Sequence, residues 1–251
     1  MLIVESDGPI LNVILNRPEV RNAFNDELIG ALFQTFTTVP AGTRAIVLSG
    51  NGPSFCAGGD LEWMQKAASY TEEENVQDAL RLACLFQAML DCPIPIVANV
   101  HGHVFGGGCG LVAASDIAIA ATKTVFAFSE VQLGLVPATI SPFVLAKIGP
   151  GHARALFTTG ERFDAQFAYH IGLVHTVALP CDLPVHLKSK LAAILSAGPE
   201  AIAVAKHIAQ QPPMSMEEAA AVLAKARSGD EGREGVGAFL EKRTPSYKIE
   251  R

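Results

Sequence analysis

No lysine- and arginine-rich run interrupts this chain, and its formal net charge is −6. That argues against a nucleic-acid partner, because phosphate-backbone binding starts from a basic patch. An anionic ligand would have to be met by local cations or helix ends, not by a global field. No stretch reaches the roughly 18 consecutive apolar residues of a membrane helix. Cys-x-x-Cys is absent, and the five cysteines, Cys56, Cys84, Cys92, Cys109 and Cys181, are odd in number. Such usage reads as free thiols in a reducing compartment. Residues 1–8 lack a cationic n-region and an Arg-rich pattern, so they read as neither signal nor transit peptide. The expectation is a soluble cytoplasmic protein. Aromatics form only 7% of the 251 residues while 49% are hydrophobic. A sizeable core is therefore possible, and the abundant alanine favours close helix packing.

Strand-type runs at Ile10–Leu15 and Ala45–Leu48 are bounded by Gly, Pro or Asn. Between them Asn25–Val39 reads as a helix, with Asn25 or Asp26 near its cap and Pro40 beyond its end. Thr71-Glu72-Glu73-Glu74 is a capping box, opening a long amphipathic helix to about Leu90. Ile96–Val100, Asp116–Ala120 and Val125–Phe128 read as further strands, with an Ala-rich helix over Gly106–Ser115. From about Ser141 helices dominate. Asp164 is placed to cap a short helix ending at Gly172, and Leu173–Val177 reads as a last strand. Pro212-Pro213 breaks the region before helices resume near Met216 and after Asp230. The pattern is an α/β core over 1–195 followed by a helical C-terminal region over 196–251.

Two glycine-rich turns stand out, Phe55-Cys56-Ala57-Gly58-Gly59-Asp60 and Phe105-Gly106-Gly107-Gly108-Cys109-Gly110. Each ends an apolar run and opens a helix-compatible stretch. Glycine lets a backbone approach a ligand closely. The first N–H groups of a helix lack intrahelical partners and sit at its positive end. Two such ends converging would form an oxyanion hole, suited to a thioester becoming an enolate.

These turns, with Phe128-Ser129-Glu130-Val131-Gln132-Leu133-Gly134-Leu135-Val136-Pro137, resemble the enoyl-CoA hydratase/isomerase (crotonase) superfamily. Asn16-Arg17-Pro18-Glu19-Val20-Arg21-Asn22-Ala23 and Thr159-Gly160-Glu161-Arg162-Phe163-Asp164-Ala165, with Gly172-Leu173-Val174, extend the resemblance along essentially the whole chain. It implies a spiral of β-β-α units with a helical trimerisation region, and a homotrimer or homohexamer. It implies Gly59 and Gly107 as oxyanion donors and Glu130 as a catalytic carboxylate. It places Arg21 and Ala23 near the ADP part of CoA, and Ala57, Gly58, Gly59, Asp60 and Leu61 along the coenzyme. The CoA thioester is then the substrate, with no separate cofactor and no metal.

One departure matters. Two-glutamate hydratases carry their other glutamate where this chain has Gly110. A single glutamate is also the pattern of some double-bond isomerases, and a non-catalytic acyl-CoA-binding subunit is a third reading. Asp60-Leu61-Glu62-Trp63-Met64 and Pro137-Ala138-Thr139-Ile140-Ser141-Pro142 are similar to 3-methylglutaconyl-CoA and isohexenylglutaconyl-CoA hydratases. On that resemblance Gly110 is expected to free room beside C3 for a branch, with Ser129 or Thr139 available to hold water. Other residues read more plainly. His101 and His103 lack companions for a metal site. Cys56 and Cys109 read as small packing residues, Asp60 as a helix N-cap, and Trp63-Met64 as core or pocket wall. Gly50-Asn51-Gly52-Pro53 lacks the third glycine of a dinucleotide fingerprint.

Overall fold

The computed structural model describes residues 1–250. β1 (Leu2–Asp7) and β2 (Ile10–Leu15) form an antiparallel hairpin in which Leu2 pairs Leu15 and Asp7 pairs Ile10. α1 (Asp26–Thr37) follows, its first turn closed by the Asn25 side chain accepting from the Leu28 N–H at 2.9 Å. It buries Leu28, Ile29, Leu32 and Phe36 at helical spacing.

The chain then repeats one unit. β3 (Ala45–Gly50) turns a corner into the extended Phe55–Cys56 segment, followed by α2 (Leu61–Ala67) and α3 (Glu72–Asp91). β4 (Ile96–Val100) turns into β5 (His103–Phe105) and α4 (Gly107–Ala114). β6 (Ile117–Ala121) turns into β7 (Val125–Ala127), a 3₁₀ turn at Ser129–Leu133, and α5 (Ser141–Thr159). The first strands of these units lie side by side, parallel, in a six-stranded sheet of order β1-β2-β3-β4-β6-β9. The short second strands form another sheet, β5-β7-β8, which Cys56 joins through a parallel bridge to Val104. Successive corners stack: Gly102 has φ +63°, and a side chain there would run into the Pro53 carbonyl. This is the expected β-β-α spiral.

The large sheet is covered on both faces, which is why its strands read as near-continuous apolar runs. Ile46, Leu48, Ile96, Ala98, Ala118 and Ala120 face one core with α1, α3, α4 and α5. Alternate residues Ala45, Val97, Ile119 and Ala121 face a second, smaller core under α7 (Leu183–Ser196). Between them come β8 (Arg162–Asp164), α6 (Ala165–His170) and β9 (Thr176–Ala178). Asp164 caps α6 by accepting from the Phe167 N–H at 2.8 Å. The last strand forms three residues later than Leu173–Val177 suggests, because the Leu173 and Val174 N–H groups both close onto the Ala168 carbonyl. α5 is two helices joined at Gly149 (φ 70°) and Pro150.

α8 (Pro199–Gln210), α9 (Met216–Ser228) and α10 (Asp230–Glu241) complete the chain. Glu231 of α10 accepts from the Glu200 and Ala201 N–H groups and so caps α8. The expected boundary at 195/196 falls at the last turn of α7, which belongs to the sheet. Among the described residues no single helix is long and apolar enough to cross a membrane.

Candidate active site

The second sheet brings the two glycine turns together. Phe55 N–H donates to the His101 carbonyl (2.9 Å), Cys56 N–H to that of His103 (3.2 Å), and Phe105 N–H to that of Cys56 (3.0 Å). The two segments are therefore neighbouring strands that end side by side. Gly106, at φ +50°, bends the chain out of β5 and into α4, a backbone state that favours glycine. Gly108 then lies directly on the Cys56 backbone, where a Cβ would stand 2.5 Å from its carbonyl oxygen. Gly58, Gly106 and Gly108 are buried, whereas Gly59 and Gly107 stay partly open. Gly107 is the first residue of α4, and among the described residues neither the Gly59 nor the Gly107 N–H donates to a backbone carbonyl. Both are free donors on accessible backbone.

Phe24, which the sequence reading passed over, ties the turns together. Its N–H donates to the Gly58 carbonyl and its carbonyl accepts from the Asp60 N–H, both at 2.8 Å. Its ring presses on Gly107, where a Cβ would fall 2.7 Å from Cε2. The available signal was its place as the apolar residue between the Asn22-Ala23 motif and the Asn25 cap.

Glu130 reaches the same point from the third unit. Its Oε1 lies 3.3 Å from where a Cβ at Gly106 would stand. Its Oε2 is buried without a hydrogen-bond partner. Burial raises its pKa above the usual carboxylate value, with its own backbone N–H offsetting part of the effect. The surrounding turn is fixed by Gln132, whose side chain donates to the Gly160 carbonyl at 2.8 Å, and by Gly134 in the left-handed conformation. A carboxyl so placed can take up or release a proton beside the two backbone donors.

Gly110 corrects the sequence expectation. A Cβ there would stand 2.6 Å from both Ile140 Cγ2 and Phe86 Cζ. Both side chains are fully buried, and Phe86 is packed against Phe24 and Phe143. The first side-chain carbon at this position would already meet buried hydrocarbon, so there is no free room at Gly110 itself for a branch. The sequence could not show this, because the filling side chains come from α3 and from the approach to α5.

A sequence model of the enoyl-CoA hydratase/isomerase family matches residues 5–250. The chain belongs to the enoyl-CoA hydratase/isomerase family. It is similar to a crotonyl-CoA hydratase of Syntrophomonas wolfei, 32% identical over 98% of this chain and 97% of that one. Among solved structures it is similar to Pseudomonas aeruginosa AtuE, with a TM-score of 0.94, 36% identity and 99% of each chain covered. An enoyl-CoA hydratase of Shewanella pealeana matches with a TM-score of 0.92 and 35% identity, over 98% of this chain and 95% of that one.

The remaining residues singled out on family grounds are dispersed around the turns. Asp60 caps α2 by accepting from the Glu62 N–H at 2.9 Å, and it pairs with Arg17 at 2.7 Å. Burial pushes its carboxyl up, but the Arg17 hydrogen bond and charge and two backbone N–H groups outweigh this and hold its pKa below the ordinary value. Arg21 is exposed at φ 54°, and its carbonyl accepts from the Ala57 N–H at 3.0 Å. Ala23 is buried, and its carbonyl is taken by Arg17 at 2.7 Å. Leu61 is 81% exposed, leaving an apolar side chain free beside the first turn.

The thiols beside the turns are inert. Burial pushes Cys56 up to about 12, and Cys109 also lies well above its ordinary value, chiefly through burial. His101 and His103 bond the Gly52 carbonyl and the Ser54 hydroxyl. Among the described residues no group of three or more His, Cys, Asp or Glu could hold a metal ion.

Proposed function

We propose that this chain hydrates the C2–C3 double bond of an acyl-CoA thioester. The observation that carries the reading is Glu130, a buried carboxyl with one unpartnered oxygen, set against the turn that holds Gly107. The thioester carbonyl accepts from the Gly59 and Gly107 N–H groups. As water attacks C3, charge moves through C2 onto the thioester oxygen, where these donors stabilise it. Fixed donors of this kind are each worth about 3–4 kcal/mol in a related acyl-transfer setting. Glu130 removes the proton from the attacking water and returns a proton to C2. A carboxyl with a raised pKa is suited to both halves of that exchange.

In this reading CoA runs along Arg21, Ala23 and Ala57 to Leu61, and no other cofactor takes part. The protein acts as a homotrimer or homohexamer. A 3-branched, methylglutaconyl-like substrate rests on the resemblance of Asp60–Met64 and Pro137–Pro142 alone, since Gly110 no longer supports it. Thr139 and Ser141 flank Ile140, one of the two side chains that stand over Gly110.

A double-bond isomerase is the second reading. The packing of Phe86 and Ile140 over Gly110 favours it, because one carboxylate suffices to carry a proton between carbons. The test is to incubate purified protein with several enoyl-CoA thioesters and resolve the products by mass. Gain of one water supports hydration. An unchanged mass with a moved double bond assigns isomerisation, and no reaction leaves an acyl-CoA-binding subunit. In the active protein Glu130→Gln is expected to cut turnover by about a hundredfold or more while CoA binding is retained. Wild-type turnover in that variant would remove Glu130 from the chemistry.

A further inference from the structure

A cavity of about 850 Å³ lies at the far end of α4 from the glycine turns, bounded by the ends of α3 and α4, the start of α5, and α7 and α8. That volume is within the range of small-molecule sites. Its walls are largely apolar, with Ile117, Phe143, Ile194 and Ile202 among them. Three lysines face it, Lys147, Lys190 and Lys206, against one carboxylate, Asp116.

That carboxylate is already committed. Its Oδ2 accepts from Lys206 Nζ and from the Ile96 N–H, both at 2.8 Å. Lys206 is committed too, since its Nζ also donates to the Met89 and Ile94 carbonyls. Lys147 has one partner, the Asp116 carbonyl at 3.3 Å, and it is buried enough that desolvation pulls its pKa down. Lys190 makes no hydrogen bond or ion pair among the described residues. Two ammonium groups with unused donors therefore face an apolar cavity, in a chain whose net charge is −6. Lys147 is the desolvated one of the two, and a buried charge short of partners is costly, which an anion relieves.

We propose that this cavity binds an amphipathic carboxylate, an acyl chain ending in a free carboxyl, with the carboxylate held by Lys147 and Lys190 and the chain laid along the isoleucine and phenylalanine walls. The charge complementarity selects an anion, and the apolar walls select a hydrocarbon body over an inorganic one. This site is separate from the turns that carry the proposed chemistry, so it stands whether or not that chemistry is hydration.

The probe is decanoate, titrated calorimetrically into the full-length protein with the thioester site saturated by CoA. Saturable binding is expected, weakened about tenfold or more in Lys147→Gln and in Lys190→Gln, the loss typical of one charge-assisted hydrogen bond. Inorganic phosphate is expected not to compete. Ala146→Trp, which fills the cavity from its α5 wall, is expected to abolish binding while the mass of the assembly by light scattering stays unchanged. Absence of binding, binding that CoA abolishes, or wild-type affinity in the lysine variants would overturn the proposal. A fall in assembly mass with Ala146→Trp would instead assign the cavity to contact with a second copy of the chain, and would overturn it as well.

Discussion

Replacing Gly110 by alanine tests the central correction to the sequence reading. In the middle of a helix this change ordinarily stabilises by about 1 kcal/mol, because alanine loses less backbone entropy. Here the added methyl would stand 2.6 Å from Ile140 Cγ2 and 2.6 Å from Phe86 Cζ. Neither neighbour can swing away. Both are fully buried, and the Phe86 ring is wedged between Phe24 and Phe143 at centroid distances of 6.4 and 5.6 Å. Overpacking of a core costs about 1–3 kcal/mol; with two buried neighbours each at 2.6 Å the upper half of that range applies, and it outweighs the helix gain. For a chain of this size the net loss corresponds to roughly 2–8 °C in Tm. The assay is thermal unfolding at fixed protein concentration, with Ile140→Ala and the double variant alongside. The two changes should couple favourably by about 1 kcal/mol, because removing Cγ2 makes room for the methyl. Gly110→Glu should unfold the protein or block its expression, since a carboxylate would be driven among Phe86 and Ile140. A Gly110→Ala protein that melts at or above the wild type would refute the packing argument and reopen the branch pocket.

Three further outcomes are expected. Gly108→Ala should be more damaging than Gly110→Ala and should lower kcat as well, because its neighbour at 2.5 Å is the Cys56 backbone, which cannot move without parting the two turns; equal Tm losses in the two variants would contradict this. The raised pKa of Glu130 means that folding favours its protonated form. Its stabilising contribution is present below the ordinary carboxylate value and is lost as pH rises through the raised one. Glu130→Gln should therefore gain stability relative to wild type as pH rises above the ordinary carboxylate value, measured by urea unfolding, and a difference that is flat with pH counts against the burial. Arg17→Met should cost on the order of 3 kcal/mol, because it strands the Asp60 carboxylate that caps α2. Asp60 is held below its ordinary pKa, so its stabilisation exists above that value and is lost as pH falls through the depressed one. This acid limb should shrink in Arg17→Met.

Features that depend on neighbouring residues in the chain were legible. The Thr71–Glu74 capping box, the Asn25 and Asp164 caps and the strand at Ile96–Val100 all form where the sequence puts them. A second capping box, Ser215 with Glu218, carried the same signature and went unread. β1 was missed because an edge strand with Glu5, Ser6 and Asp7 exposed has no apolar alternation. β5 and β8 are three residues each, too short to show any period. At the site, the glycine turns and Glu130 were recognisable as motifs. The part Phe24 plays and the filling of the Gly110 slot were not. Both depend on side chains distant in sequence that meet only when the spiral closes.

The parallel bridge between Cys56 and Val104 has a consequence for how such a protein can change. The groups that would polarise a carbonyl are backbone N–H groups, and their separation is set by hydrogen bonds between main chains. No side-chain exchange other than proline can remove them. Glu130 stands on a separate turn, contributed by another unit and held by the Gln132 side chain donating to the Gly160 carbonyl. In the proposed mechanism the half that polarises the thioester is main chain and the half that moves the proton is a side chain, although the two turns are joined where the Gly106 N–H donates to the Ala127 carbonyl at 2.9 Å. On that proposal the side-chain half can be rewritten, residue by residue, to run a different reaction on the same thioester, while the main-chain half passes through every intermediate sequence intact.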